Sequence, residues 1–193
     1  MLALATPPLA GGAAQAAPSA RGGRAAEPGR EAALGEFEAV LAANPSATAA
    51  LEQWCARRGL APAAEVHATV LDSVGGPSAA AARAALGLGA GAPLGFRHVR
   101  LDCGGVVLSE AYNWYAPGLL SAEMNRLLAT TRTPFGKVAA PLGYARELIE
   151  SRRGRADGCP PGVVLSHRAM LRLPDRRPLA LLVECYTAAN LAG

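Results

Sequence analysis

A glutamate at the end of an apolar run is the residue of this 193-residue chain with the clearest potential for chemistry. Glu184 follows residues 178–183, which read as a buried β-strand near the C-terminus. An ionised carboxylate removed from water is costly unless a cation or hydrogen bonds compensate it. The sequence therefore predicts a charged partner or a ligand beside Glu184.

Arg97 is the cation best placed to compensate that carboxylate. It shares an alternating pattern with Val99, Leu101 and Cys103, so its side chain is expected to point inward from a strand. Two opposite charges from distant strands then meet inside the protein, where a guanidinium can also hold a ligand carboxylate with two N–H groups. The alternative is a buried salt bridge between Arg97 and Glu184 that involves no ligand.

The elements that position these residues follow from hydrophobic periodicity. The spacing predicts helices over 31–43, 46–59, 78–88 and 121–128, and strands over 65–74, 96–103, 106–115, 163–173 and 178–186. Residues 142–150 fit either a strand or a helix. Consecutive strands joined by short turns pair antiparallel, so the expected fold class is α+β, a single antiparallel sheet with helices packed on one side. His167 is expected to be a hydrogen-bonded core histidine.

Length and composition favour one domain, residues 31–193, after a tail of residues 1–30. Alanine, glycine and proline dominate the tail, and no period there is long enough to pack. Its first residues faintly resemble an export signal. They lack a basic start, and Pro7 and Pro8 interrupt the apolar stretch, so a tail without regular structure is the favoured interpretation.

Charge and composition exclude several partner classes. The net charge is +4, but the basic residues form no dense stripe and aromatic residues make up only 5% of the chain, which argues against nucleic acid. No apolar run is long enough to span a bilayer. The cluster Arg152, Arg153 and Arg155 is expected in a solvated loop. The remaining partner class is a small anionic molecule, and the oligomeric state stays open.

The four cysteines are Cys55, Cys103, Cys159 and Cys185. They are widely scattered and have no neighbouring histidine at zinc-ligand spacing, so no metal site is predicted. Cys103 and Cys185 fall in apolar strand patterns, where a reduced cysteine acts as a small hydrophobic residue. Free structural cysteines and a cytoplasmic location are therefore expected.

Short segments spread over much of the chain resemble the chorismate pyruvate-lyase family, whose fold is shared with the UTRA ligand-binding domains of bacterial transcription regulators. The segments are Pro45–Thr48, Arg97–Leu101, Asn113–Pro117, Thr133–Lys137, Arg146–Glu150 and Pro178–Glu184. The last of these has one residue more than the lyases have, which implies a β-bulge or a shifted proline.

The resemblance implies a buried pocket under helical flaps that works without a metal or organic cofactor. By resemblance, Arg97 grips a ligand carboxylate and Glu184 faces the ring-hydroxyl end. The backbone N–H of Phe135, next to Gly136, would serve the same carboxylate. The backbone near Ala47 would complete the hydroxyl end.

The activity implied by the resemblance is cofactor-free elimination of chorismate to 4-hydroxybenzoate and pyruvate, as in ubiquinone precursor supply. Glu184 and Arg97 would then be catalytic, because a positioned carboxylate can take the ring proton while the guanidinium fixes the dianionic substrate. One alternative is a non-catalytic, UTRA-like module that binds a small aromatic acid. Another is a lyase-fold protein that binds such an acid without turnover.

Overall fold

The computed structural model describes residues 28–72 and 78–192. Within these ranges it has five α-helices and six β-strands. The helices are α1 (Pro28–Ala43), α2 (Ala47–Arg58), α3 (Ala79–Ala85), α4 (Ala122–Thr130) and α5 (Phe135–Ala139). The strands are β1 (Val66–Val70), β2 (Gly95–Cys103), β3 (Val106–Tyr115), β4 (Ala145–Arg153), β5 (Val163–Arg172) and β6 (Pro178–Thr187).

Serine caps start three of the helices. The Ser46 hydroxyl accepts a hydrogen bond from the third residue after it and begins α2, and Ser78 and Ser121 do the same for α3 and α4. Gly59 ends α2 with a φ of 59°, a left-handed conformation that glycine adopts without a steric penalty. These caps hold the start of α2 in a fixed place over the sheet.

All six strands form one antiparallel sheet in the order β1-β2-β3-β6-β5-β4. The predicted α+β fold class is confirmed. The ambiguous segment 142–150 lies mostly in β4, which pairs with β5 at one edge of the sheet. The predicted strand over 65–74 ends at Val70, and its last two residues lie outside the described ranges, as does the tail up to residue 27.

The two faces of the sheet carry different layers. One face, here called the cavity face, is covered by α1, α2, α4 and α5. Phe37 of α1 and Trp54 of α2 are fully buried there against Tyr186 of β6 and its neighbours. The short helix α3 packs on the opposite face through Ala82 and Leu86. Helices therefore occupy both faces, with the larger layer on the cavity face.

A bulge at the start of β6 sets which residues point to the cavity face. Leu171 lies opposite Ala180 while Arg172 lies opposite Pro178, so Leu179 is an extra residue in β6. This confirms the bulge predicted from the sequence. Because side chains alternate along a strand, the shift decides that Glu184 points toward α2 and α5 rather than toward α3.

Two disulfides correct the prediction of free cysteines. Cys55 of α2 is bonded to Cys103 of β2, and Cys159 of the β4–β5 connection is bonded to Cys185 of β6. The partners are far apart in sequence, so spacing alone did not reveal the pairs. The expected cytoplasmic location relied on reduced cysteines and loses that support, because disulfides persist mainly in oxidising compartments.

Only part of the basic cluster lies where it was predicted, because Arg155 is exposed in the connection that follows β4. Arg152 and Arg153 belong to β4 rather than to a loop, and both are exposed. Arg153 forms ion pairs with Glu31 and Glu38 of α1, which joins that helix to the edge strand. None of the described helices is long and apolar enough to cross a bilayer.

Candidate functional site

An internal cavity of about 40 Å³ lies between the cavity face and the helices α2 and α5. Its walls come from the start of α2, from α5 and from strands β2 to β6. The apolar part of the lining consists of Leu101, Ala111, Pro134, Phe135, Leu171 and Leu182. The polar side chains of the lining are Ser46, Thr48, Asn113, Tyr144, Arg146 and Glu184, and such a mixture is typical of sites that recognise small organic molecules.

Four of the five residues predicted for the site line this cavity. They are Ala47, Phe135, Gly136 and Glu184. The fifth, Arg97, is not among the lining residues, but it lies directly opposite Asn113 on the neighbouring strand, and Asn113 does line the cavity. The structure thus gathers the predicted residues in one region. It does not test the binding roles predicted for them.

Glu184 is buried and compensated, but not by Arg97. Its Oε2 accepts hydrogen bonds from Arg146 Nη2 at 2.5 Å and from the Tyr186 hydroxyl at 3.0 Å. The side chains of Arg146 and Glu184 are 8% and 4% exposed, so the ion pair is largely removed from water. The predicted Arg97–Glu184 pair is therefore wrong. Arg146, on β4, supplies the cation.

His167 extends the same network. Its Nδ1 lies 3.0 Å from Arg146 Nη2, and because a guanidinium can only donate, Nδ1 is the acceptor. Burial lowers the pKa of His167, and nearby Glu184 only partly offsets this effect. The histidine is buried and hydrogen-bonded, which confirms its predicted role in the core.

Arg146 was missed as the partner because its segment fits two secondary structures. If the segment were a helix, the sequence would not say which way the Arg146 side chain points. In the strand β4, Arg146 lies opposite Leu171, a cavity-lining residue. Alternation then turns Arg146 inward and Glu147 outward, where Glu147 pairs with Arg172. If this segment had been recognised as a strand, alternation would have predicted that Arg146 points inward.

Arg97 is the opposite case, a buried guanidinium without a carboxylate. The residue is 5% exposed, and no carboxylate of the described residues forms an ion pair with it. Its Nη1 and Nη2 donate to the carbonyls of Thr133 and Thr131 over 3.3 and 3.5 Å, which are long hydrogen bonds. Among the described residues, its Nε has no hydrogen-bond partner. Burial lowers the pKa of Arg97, yet a guanidinium keeps its charge near neutral pH.

Arg97 and Glu184 lie on the same face but well apart. Arg97 is on β2 opposite Asn113, which in turn lies opposite Leu182 on β6, two residues before Glu184. Two strand spacings and a two-residue offset put their Cα atoms about 12 Å apart. Glu184 lines the cavity, whereas Arg97 lies on the strand beyond Asn113 and donates to the carbonyls of Thr131 and Thr133, the latter just before the cavity-lining Pro134.

Tyr144, just before β4, closes one wall of the cavity. Its hydroxyl donates a hydrogen bond to the Gly136 carbonyl at 3.2 Å. Burial raises the pKa of Tyr144, and a hydrogen bond with the Ser46 side chain partly opposes the rise. The wall thus joins the start of α2 to α5 through hydroxyl groups.

Within the described residues, no group of three or more His, Cys, Asp or Glu side chains could hold a metal ion. The polar groups at the site are suited to binding an organic anion at one end and a hydroxyl or other donor at the other.

The sheet order, the helices on the cavity face and the internal cavity define the fold as the α+β type shared by UTRA domains and chorismate lyases. The uncharacterized protein y4mC of Sinorhizobium fredii is 35% identical to this chain over 175 residues, which are 81% of this chain and 74% of y4mC. The chain belongs to the same family as y4mC. No family model matches it.

Solved structures with a similar fold are parts of bacterial regulators. The regulator PhnF of Mycobacterium smegmatis aligns with a TM-score of 0.49 at 13% identity, covering 76% of this chain and 65% of PhnF. The ligand-binding domain of a putative GntR-family regulator of Bordetella bronchiseptica aligns with a TM-score of 0.47 at 17% identity, covering 63% of this chain and 85% of that domain. This chain therefore spans less than two thirds of the length of PhnF. At these identities the likeness concerns the fold alone.

The prediction of a lyase is wrong. The similar structures are not lyases but a ligand-binding domain of a putative GntR-family regulator and the effector domain of PhnF.

Proposed function

We propose that this chain is a non-catalytic module that binds a small aromatic acid in its internal cavity, with the acid's carboxylate next to Arg97. The observation that carries the proposal is the buried, unneutralised guanidinium of Arg97. An unpaired buried charge destabilises a folded protein by several kcal/mol in general. A ligand carboxylate would supply the missing charge and the missing acceptor for Nε.

The walls of the cavity support an aromatic ring as the body of the ligand. Leu101, Ala111, Leu171 and Leu182 present aliphatic groups from four strands, and Phe135 adds a ring from α5. Apolar walls with a few convergent polar groups are typical of pockets for such molecules. At the far end, Glu184 could accept a hydrogen bond from a ring hydroxyl without losing its contact with Arg146.

The backbone N–H of Phe135 is proposed as a second donor to the carboxylate, and the backbone near Ala47 as a contact for the hydroxyl end. Phe135, Gly136 and Ala47 all line the cavity, which supports these placements. Among the similar structures are the ligand-binding domain of a putative GntR-family regulator and the effector domain of PhnF. The same general role is proposed for this chain.

The unliganded cavity must widen to accept a ring. A cavity of about 150 Å³ is needed to hold benzene in a protein core, and this one measures about 40 Å³. Binding therefore requires one wall to move, which is common for pockets that close over their ligand.

Isothermal titration calorimetry of the full chain with 4-hydroxybenzoate at pH 7 tests the proposal. The neutral isostere 4-hydroxybenzamide should bind more weakly, and Arg97→Leu should lower the affinity for the acid about 10- to 100-fold, because a charge-assisted hydrogen bond is lost. Arg168→Leu is the matched control, since Arg168 is an exposed arginine of the same sheet on the α3 side.

The control variant should bind like the unmodified protein. The proposal fails if 4-hydroxybenzoate does not bind, or if it binds equally well to the protein with Arg97→Leu.

A further inference from the structure

A second, larger depression lies directly outside the internal cavity. This outer groove measures about 400 Å³ and is bordered by Pro45, Ala49, Glu52, Lys137 and Ala140, among others. It is ten times the volume of the internal cavity and lies between the start of α2 and the segment from α5 to Tyr144.

The two spaces share one thin wall. Ser46, Thr48, Gly136 and Tyr144 line both the internal cavity and the outer groove. A Cβ atom on Gly136 would lie 3.1 Å from Thr48 Oγ1, 3.1 Å from the Tyr144 hydroxyl and 3.5 Å from Ser46 Cβ. These side chains therefore meet around Gly136, and no further layer of residues separates the two spaces.

One half of this wall is anchored much more firmly than the other. Helix α2, which carries Thr48, is tied to the sheet by the Cys55–Cys103 disulfide, and Trp54 donates a hydrogen bond to the Asn190 carbonyl. Tyr144 is held to the opposite half by its hydrogen bond to the Gly136 carbonyl. Tyr144 also contacts the Ser46 side chain through its hydroxyl, so it bridges the two halves of the wall, and the two spaces join only if this side chain moves.

The chemistry of the groove favours an uncharged occupant. Its two charged groups neutralise each other, because Lys137 Nζ lies 2.6 Å from Glu52 Oε1. Glu52 is also engaged by the backbone N–H of Val66. The rest of the border is supplied by proline, alanine, glycine, hydroxyl groups and the Tyr144 ring, which offer contact to apolar chains rather than to ions.

From these observations we infer that the physiological ligand is an extended aromatic acid: its ring and carboxylate occupy the internal cavity, and an apolar substituent at the far end of the ring passes Tyr144 into the outer groove. The inference rests on the proposed function and narrows its ligand class. A single-ring acid would leave the groove empty, whereas an extended acid would bury its substituent there and hold the wall open.

A comparison of 4-methoxybenzoate with 4-butoxybenzoate, measured by calorimetry on the full chain beside 4-hydroxybenzoate, tests the inference, because neither ether can donate a hydrogen bond to Glu184. Each buried methylene group strengthens binding roughly fourfold, so the butoxy acid should bind at least about 10-fold more tightly than the methoxy acid. Ala140→Trp, at an exposed position that borders the groove, should fill it and bring the ratio of the two affinities close to one. Ala42→Trp, at an exposed position of α1, is the control and should preserve the ratio.

The outcomes separate the two proposals. Arg97-dependent binding of 4-hydroxybenzoate with no gain from the butoxy group would overturn the extended ligand and leave the acid-binding module standing. A gain that survives Ala140→Trp would also overturn it, because the substituent would then lie elsewhere. If neither 4-hydroxybenzoate nor the 4-alkoxybenzoates bind, both proposals are overturned.

Discussion

Arg97 and Arg146 are both buried arginines on the cavity face of one sheet, but their electrostatic surroundings differ. Arg146 donates to the Glu184 carboxylate at 2.5 Å and to His167 at 3.0 Å. Arg97 has only two long hydrogen bonds, both to backbone carbonyls. The Nε of each arginine lacks a hydrogen-bond partner among the described residues, so the two differ in the carboxylate that only Arg146 contacts. One guanidinium is neutralised by the protein, and the other is left with its charge uncompensated.

The difference separates a structural group from a candidate recognition group. A neutralised pair such as Arg146 and Glu184 holds β4 and β6 in place across β5 and needs no ligand. An uncompensated cation such as Arg97 costs stability, and it is best explained by a function that requires it. The following predictions test this contrast, from the largest expected effect to the smallest.

Removing the neutralised arginine should have the largest effect on stability. Arg146→Leu leaves the Glu184 carboxylate buried without its cation, so the free energy of unfolding should fall by about 3–5 kcal/mol. Urea denaturation monitored by circular dichroism measures the change. Arg168→Leu, at an exposed position, is the control and should change stability by less than about 0.5 kcal/mol. A loss no larger than that of the control would contradict the structural role of Arg146.

Removing both members of the pair should be less harmful than the single changes suggest. The variant Arg146→Leu with Glu184→Leu leaves no buried charge behind, so it should recover about 2 kcal/mol or more of the loss caused by Arg146→Leu alone. A double-mutant cycle in urea gives the coupling energy. Strictly additive effects would show that the two side chains do not stabilise each other.

Removing the uncompensated arginine should instead stabilise the unliganded protein. Arg97→Leu deletes a buried charge that has only weak partners, and the free energy of unfolding should rise by about 1–3 kcal/mol. The same variant should lose affinity for 4-hydroxybenzoate. Thermal unfolding with and without the acid measures both effects. Destabilisation by Arg97→Leu would place this arginine in the same structural class as Arg146.

The smallest effect should come from pH. Because burial lowers the pKa of His167 below the ordinary 6.5, the unfolded state binds a proton more readily than the folded state does. The stability contributed by neutral His167 is thus fully present above pH 6.5 and decreases as the pH falls below that value. His167→Asn keeps an acceptor for Arg146 and should flatten the decrease.

Unfolding free energies measured from pH 7.5 to 5 compare the two proteins. Parallel curves for the unmodified chain and for His167→Asn would show that the histidine is not held neutral by its surroundings.

The site shows which properties can be predicted from residue patterns alone. Alternation along β2 and β6 was sufficient to predict that Arg97 and Glu184 are buried, because side-chain direction in a strand follows from period alone. The same reasoning anticipated the buried state of His167, whereas the bulge near Pro178 was implied by the resemblance to the lyases. These are local properties, and each could be deduced from a stretch of about ten residues.

Partner choice was not predictable in this way. Glu184 could be matched with any inward cation, and the sequence offered Arg97 because the segment containing Arg146 fitted a helix as well as a strand. The disulfides were not predicted either. Cys55 and Cys103 are 48 residues apart in sequence, and no local pattern shows that they lie side by side in the fold.

The amino-acid sequence by itself determined the α+β class, most of the elements and which charged side chains turn inward, because these depend on short-range periodicity and turn chemistry. Only the tertiary structure decided that Arg146 neutralises Glu184, that Arg97 is left uncompensated and that a thin wall at Tyr144 separates the cavity from a larger groove. Those facts depend on strand order and on distances between residues far apart in the chain, which no local pattern encodes.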